Sequence, residues 1–213
     1  MATTKPAQPI RVYGAPPSGH THRVLLLLSL LDLPHEFIKV DLAKGEHKRP
    51  EFLAKNPFGL VPVIEDGDTT LHDSNAILVY LATKYDDGKW LPRDPVGAAN
   101  VQRWLSLAAG LIYNGPSAAR LVTVFHAPLN YEHAMATAAA LFKVLDADLS
   151  GRKFALGSSP TIADVAAYAY IAHAPEGGVS LDPYPNIRAW IKNVEALPGF
   201  VPMMTIKAGL LAE

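Results

Sequence analysis

The stretch from Asn56 to Ser74 constrains this chain more than any other part of it. It opens with the turn-forming residues Asn56-Pro57-Phe58-Gly59 and runs into Leu60-Val61-Pro62-Val63-Ile64, which is apolar and rich in branched side chains. Branching at Cβ favours extended backbone, so Val61 to Ile64 reads as a short buried strand. Pro62 stands at its start, where a missing N–H removes no ladder bond, and the Val61–Pro62 bond is a candidate for the cis isomer. Asp66-Gly67 has tight-turn chemistry, and Thr69 to His72 makes the return strand. Asp73 and Ser74 then precede Asn75-Ala76-Ile77-Leu78-Val79-Tyr80-Leu81, an apolar-periodic helix whose first amides need acceptors.

Two kinds of binding group meet in such a stretch. The residue before a cis proline can leave its N–H and C=O free to pair with an extended peptide. A helix N-terminus beside a hydroxyl attracts a carboxylate, and a neighbouring carboxylate takes an ammonium. A small peptide-like zwitterion satisfies both. The alternative is a plain hairpin followed by an ordinary capped helix.

With 213 residues the chain can build one large or two small domains with a real core. Its 19 basic and 20 acidic side chains nearly cancel, which favours neither nucleic acid nor a membrane surface as partner. There is no cysteine, so disulfides, CxxC redox chemistry and cysteine nucleophiles are excluded. Residues 1–9 read as a loose polar tail without the apolar stretch of a secretory signal. Val24 to Leu31 is strongly apolar but too short to span a bilayer, and reads as a buried helix.

The coarse pattern is a strand over Ile10 to Tyr13, a loop through Pro17-Ser18-Gly19, a helix from about His20 to Leu31 and a strand over Glu36 to Val40. A charged loop follows, and Pro50 fits the first position of a short helix through Ala54. With the hairpin and the helix to Tyr85 this makes βαβ–α–ββα, a mixed sheet covered by helices. Residues 87–93 read as a linker between a first domain over 1–86 and a second over 94–213, where no strand pattern appears. There Asp94-Pro95 opens a long helix, Gly115-Pro116 breaks or kinks it, and a second long helix runs from about Asn130 to Leu149. Thr161-Ile162-Ala163-Asp164 has capping-box spacing ahead of a nearly all-apolar helix, and Asn186 opens a further one.

Taken in order, Tyr13-Gly14, Pro17-Ser18, Arg23-Val24, Val40-Asp41-Leu42, Gly45-Glu46-His47-Lys48, Pro50-Glu51-Phe52-Leu53, Asn56-Pro57-Phe58-Gly59, Val61-Pro62 and Asp73-Ser74 resemble the N-terminal domain of the cytosolic glutathione S-transferases, in particular the serine-type, phi-like members. The likeness is dense from about residue 10 to 85 and looser beyond. It implies a thioredoxin-like domain without redox cysteines followed by an all-α bundle. It also implies a cytoplasmic homodimer acting in detoxification, with glutathione as co-substrate, an apolar electrophile as second substrate, and no metal.

The resemblance makes Ser18 the group that activates the thiol. Ser18 lies between a strand and a helix, where a donor to a thiolate belongs; its other role is an N-cap, with the hydroxyl switching between the two. Thr21, one turn on, is the rival donor. Tyr13 lies one residue away from the position of the tyrosine-type enzymes and so points to the other face of its strand. By the same resemblance His47 and Lys48 meet the glycyl carboxylate, Val61 the cysteinyl backbone, and Asp73 and Ser74 the γ-glutamyl end. A solvated basic loop is the other reading of His47-Lys48. Leu60 departs from the family pattern, which often has a polar residue there, so one contact to glutathione is expected to be missing. Pro17, Tyr113, Asn114 and Arg120 are candidates for the second-substrate pocket. His20 and His22 stand two apart on a helix and face different ways, against a shared metal; Arg11 and Arg23 read as solvated. A glutathione-binding protein without turnover, or an isomerase, lyase or dehalogenase on the same fold, remains the alternative function.

Overall fold

The computed structural model describes residues 5–212; the first four positions of the expected tail, and residue 213, lie outside them. Four strands, β1 (Ile10–Gly14), β2 (His35–Lys39), β3 (Val63–Asp66) and β4 (Thr69–His72), form one sheet in the order β2-β1-β3-β4. β1 and β2 are parallel, with Ile10 opposite His35, so the chain must cross over between them, and α1 (Gly19–Leu30) makes that crossover. β3 runs antiparallel to both neighbours, placing Val12 opposite Ile64 and Ile64 opposite Leu71. A short α2 (Pro50–Leu53) and α3 (Ser74–Tyr85) complete a thioredoxin-like βαβ–α–ββα arrangement. The third strand starts at Val63 rather than Val61, and the Val61–Pro62 bond is cis.

The chain divides into two compact units. One comprises the residues up to Leu91 together with Pro198–Met203; the other comprises Pro92–Leu197 and the residues from Met204 onward. In the first, Ile10, Val12, Val63 and Ile64 from the sheet pack with Val24, Leu26, Leu27 and Leu28 of α1 and Ile77, Leu78 and Leu81 of α3. An all-helical domain running unbroken from 94 to 213 was the expectation. Instead Pro198–Met203 joins the first unit, because His22 Nε2 donates to the Val201 carbonyl at 2.8 Å and Ser29 Oγ to that of Gly199 at 2.7 Å.

The second unit is helical: α4 (Pro95–Ala109), α5 (Ala118–Phe125), α6 (Tyr131–Asp148), α7 (Ile162–Ala172) and α8 (Pro185–Glu195). Asp94 caps α4 with Pro95 at its first position, and Asn130 caps α6, as their spacing requires. The predicted break at Gly115-Pro116 is a π-turn over Tyr113–Ser117, where Pro116 has no N–H to give. At its far side stands α5, which the sequence reading did not anticipate. α8 begins at Pro185 without a cap of its own, and Asp146 of α6 accepts the Asn186 and Ile187 amides at 2.8 and 3.0 Å. Thr161 and Asp164 form the expected capping box on α7, which is buried from Ile162 to Ile171. Asp164 also accepts from the Ala155 amide at 2.7 Å and from Trp190 Nε1 at 2.8 Å. Burial pushes its carboxyl above the usual range, against the pull of those donors. No helix among the described residues is long and apolar enough to cross a membrane.

Arg120 corrects an expectation. It does not line a solvent-filled pocket: it is 1% exposed, and its Nε donates to Glu176 Oε2 at 2.6 Å. Glu176 is itself fully buried, with His173 Nδ1 at 2.6 Å and the Ile206 amide at 3.1 Å from Oε1. Removing one partner of a buried pair strands the other charge, so Arg120→Met is expected to lower the unfolding free energy by about 3–5 kcal/mol in urea titrations. An unchanged urea midpoint together with a raised KM for an electrophile would return Arg120 to the pocket.

Candidate functional site

The loop between β1 and α1 is built tightly. A Cβ on Gly14 would stand 2.3 Å from Thr21 Cγ2, so only glycine lets the strand end close against the helix. The Ala15 amide donates to Thr21 Oγ1 at 3.2 Å, and Thr21 is buried. Ser18, half-buried, is the N-cap of α1, its Oγ accepting from the Thr21 amide at 3.3 Å. Capping uses a lone pair and leaves the O–H proton to donate elsewhere. Capping and donation therefore need no switch between them, contrary to the sequence reading.

The second helix end is that of α3. Asp73 adopts φ +67, a left-handed value rare outside glycine, and its Oδ1 accepts from the Asn75 and Ala76 amides, both at 2.9 Å. Ser74 is 4% exposed, and its Oγ lies 3.1 Å from Arg23 Nη1 and 3.2 Å from His20 Nδ1. Arg23 also donates to Asn75 Oδ1 at 2.7 Å. Reading Arg23 as solvated was wrong: it is 1% exposed and pins α1 to the start of α3. Its position three and four residues before the buried Leu26 and Leu27 was the signal that placed it on an inward face. Arg11 is not merely solvated either, since its Nη2 pairs with Glu65 at 2.7 Å. Tyr13 OH donates to the same carboxylate at 2.8 Å, and Lys55 pairs with it too. Burial and that bond hold the Tyr13 phenol above its ordinary value.

Between the two helix ends lies the loop leading to Val61. Asn56, buried and not weighed as an organiser from sequence, spans it: Nδ2 donates to the Leu60 carbonyl at 2.8 Å, and Oδ1 accepts the Phe58 amide at 3.1 Å. Gly59 has φ +59, and a Cβ there would come within 2.7 Å of the His47 carbonyl. Lys48 Nζ donates to the Phe58 and Gly59 carbonyls at 3.2 and 3.1 Å. Lys48 thus braces the loop rather than standing free in solvent. His47 Nδ1 is buried without a hydrogen-bond partner, and burial, then the Lys48 charge, lowers its pKa. The Val61 backbone makes no hydrogen bond within the protein among the described residues, the state in which it can pair with an extended ligand. Leu60 is exposed and apolar.

Residues 17–84 match the family model "Glutathione S-transferase, N-terminal domain", and residues 121–198 match "Glutathione S-transferase, C-terminal domain". Glutathione S-transferase 3 of Zea mays is 34% identical over 208 residues, spanning 90% of this chain and 91% of that protein. The chain belongs to the glutathione S-transferase family. GstB of Escherichia coli, another transferase, is 31% identical over 196 residues, covering 89% of this chain and 94% of its own. Among solved structures, a glutathione S-transferase from Pseudomonas fluorescens aligns with a TM-score of 0.85 at 35% identity, over 92% of this chain and 100% of that one.

Pro17 lies half-buried in the β1–α1 loop. Tyr113 and Asn114 are exposed on the π-turn, where Asn114 Nδ2 donates to the Gly110 carbonyl at 3.0 Å. His20 and His22 do not converge: the first meets Ser74, the second the Val201 carbonyl.

Burial, then the Arg23 charge, lowers the His20 pKa to about 3. The unfolded imidazole titrates near its ordinary value of 6.5, so between about 6.5 and 3 the unfolded chain binds a proton that the folded one refuses. Stability from this residue is complete above pH 6.5 and falls as pH drops toward 3. His20→Asn is therefore expected to flatten the acid limb of the stability profile, measured by urea midpoints across that window. Parallel curves for the two proteins would contradict it.

Proposed function

We propose that this transferase conjugates glutathione to a small apolar electrophile, with Ser18 donating a hydrogen bond to the thiolate. The observation that carries this is the Ser18 hydroxyl at the N-terminus of α1, capping with a lone pair while its proton remains to be given. A thiol of ordinary pKa, ~8.5, must fall by about two units, or ~2.7 kcal/mol, for the thiolate to dominate at pH 7. A hydroxyl donor and a helix N-terminus together are of the right sign and order for that. The sulfur lone pair then forms the S–C bond as the leaving group departs or a double bond takes up the electron pair. Thr21 is less suited as donor because its side chain is buried, at 1% exposure.

The rest of the glutathione follows the same ordering of groups. The Val61 N–H and C=O are suited to pair with the cysteinyl unit. The exposed carboxylate of Asp73 is suited to the γ-glutamyl ammonium, and the Ser74 amide at the start of α3 to its carboxylate. His47 and Lys48 are the side chains suited to the glycyl carboxylate, Lys48 through the ammonium that also donates to the Phe58 and Gly59 carbonyls. Pro17, Tyr113 and Asn114 remain the candidates for touching the electrophile.

Ser18→Ala is expected to raise the pKa governing kcat/KM by about a unit or more while glutathione binding stays nearly intact. Titrating thiolate absorbance in the binary complex reads the same quantity. Thr21→Ala should loosen the β1–α1 loop without moving that titration; the reverse pattern would reassign the donor.

A homodimer is the assembly proposed. Phe58, 69% exposed beside Leu60, and a groove of about 510 Å³ along α4 and α6, lined by Trp104, Leu107, Leu111, Leu141 and Val144, leave large apolar surfaces uncovered in one copy. Light scattering at micromolar concentration is expected to give twice the 22.9 kDa chain mass, and a monomer mass would refute the assembly.

A further inference from the structure

We propose that His20 is a positioning residue for the γ-glutamyl end of glutathione, acting by fixing the hydroxyl of Ser74; the inference rests on the glutathione reading of this site. Arg23 Nη1 lies 3.1 Å from Ser74 Oγ, and a guanidinium can only donate, so the oxygen accepts there. The hydroxyl keeps its own proton, and His20 Nδ1, at 3.2 Å, is the ring nitrogen that receives it. That direction assigns the imidazole its neutral, Nε2–H tautomer. Burial and the Arg23 charge, which together disfavour the imidazolium, agree with the assignment. A one-way chain results, from the Arg23 N–H through the Ser74 O–H to His20 Nδ1. Arg23 cannot easily turn away, because the same Nη1 is held by Asn75 Oδ1 at 2.7 Å.

Two consequences follow for a ligand. With its hydroxyl committed to His20, Ser74 offers a carboxylate its backbone N–H at the first position of α3, a fixed donor on the helix axis. Released from His20, the hydroxyl gains the adjacent Asp73 carboxylate as an alternative acceptor and competes there with the ligand's ammonium. His20 also lies two residues beyond Ser18 on α1, so one side chain ties the helix end that meets sulfur to the helix end that meets the γ-glutamyl group.

A double-mutant cycle tests this with S-methylglutathione, which binds without thiol ionisation. Its dissociation constant is measured for the wild type, His20→Ala, Ser74→Ala, the double variant and His20→Asn. His20→Ala is expected to weaken binding about five- to tenfold, the value of one hydrogen bond. His20→Asn, whose Oδ1 also accepts, should restore most of it. The double variant should bind no worse than Ser74→Ala, within about twofold. At saturating glutathione, kcat and the thiol pKa of His20→Ala should match the wild type, so that only KM moves. Should His20→Ala not fold, His20→Leu, which has no acceptor, carries the same expectation. Single losses that multiply in the double variant, an unchanged constant in His20→Ala, or a displaced thiol pKa would each overturn the proposal. A wild type that does not bind S-methylglutathione would overturn the glutathione reading, and this inference with it.

Discussion

Arg23 is the side chain on which the arrangement of the first unit depends. A guanidinium at 1% exposure needs acceptors, and its Nη1 finds two, Ser74 and Asn75, at the opening of α3. Satisfying the charge therefore fixes α1 against α3 in register as well as in distance. The same act makes the neighbourhood electropositive, since Arg23 is buried beside the N-terminal turn of α3, which carries the positive end of the helix dipole. Burial first, and the Arg23 charge second, keep His20 from taking a proton. A buried guanidinium beside a helix N-terminus favours an anion nearby, so packing and chemistry have one origin here.

The helical unit handles buried charge the other way, with acids at the centre. Asp164 gathers the Ala155 and Thr161 amides and the Trp190 indole, fastening α7 to the preceding loop and to α8. Glu176 gathers Arg120, His173 and the Ile206 amide, fastening α5 to the turn after α7 and to the returning C-terminal segment. Each carboxylate has two oxygens and broad acceptor geometry, so one acid can hold three segments that share no helix.

Local signals were the legible part of the sequence. Asp94-Pro95, Asn130 and Thr161-Ile162-Ala163-Asp164 state their caps within four residues, and the hairpin from Val63 to His72 is specified by alternation and Asp66-Gly67. Side-chain destinations across the fold were not legible. Arg120 reads as a pocket residue because no local rule shows a guanidinium aimed at Glu176, 56 residues away, and Arg23 declares its inward face only through its spacing from Leu26 and Leu27. The cap of α8 comes from Asp146, 40 residues away, and α5 is hidden behind a proline that ends any periodic reading. At the candidate site, Ser18, Val61 and Asp73-Ser74 were visible as a motif, whereas Asn56 as strut and His20 as the partner of Ser74 needed the third dimension.

The segment Pro198–Met203 sets an order of events. Its carbonyls at Gly199 and Val201 receive Ser29 and His22 across separations of 170 and 179 residues. A ribosome delivers the N-terminal residues first, at roughly 5–20 residues per second. Residues up to Leu91 are thus translated several seconds before the segment that closes the α1 flank exists. Until then His22 and Ser29, both on the helix that carries Ser18, lack those acceptors. The nascent thioredoxin-like unit is an unfinished one, and its completion waits on the synthesis of the whole helical unit between.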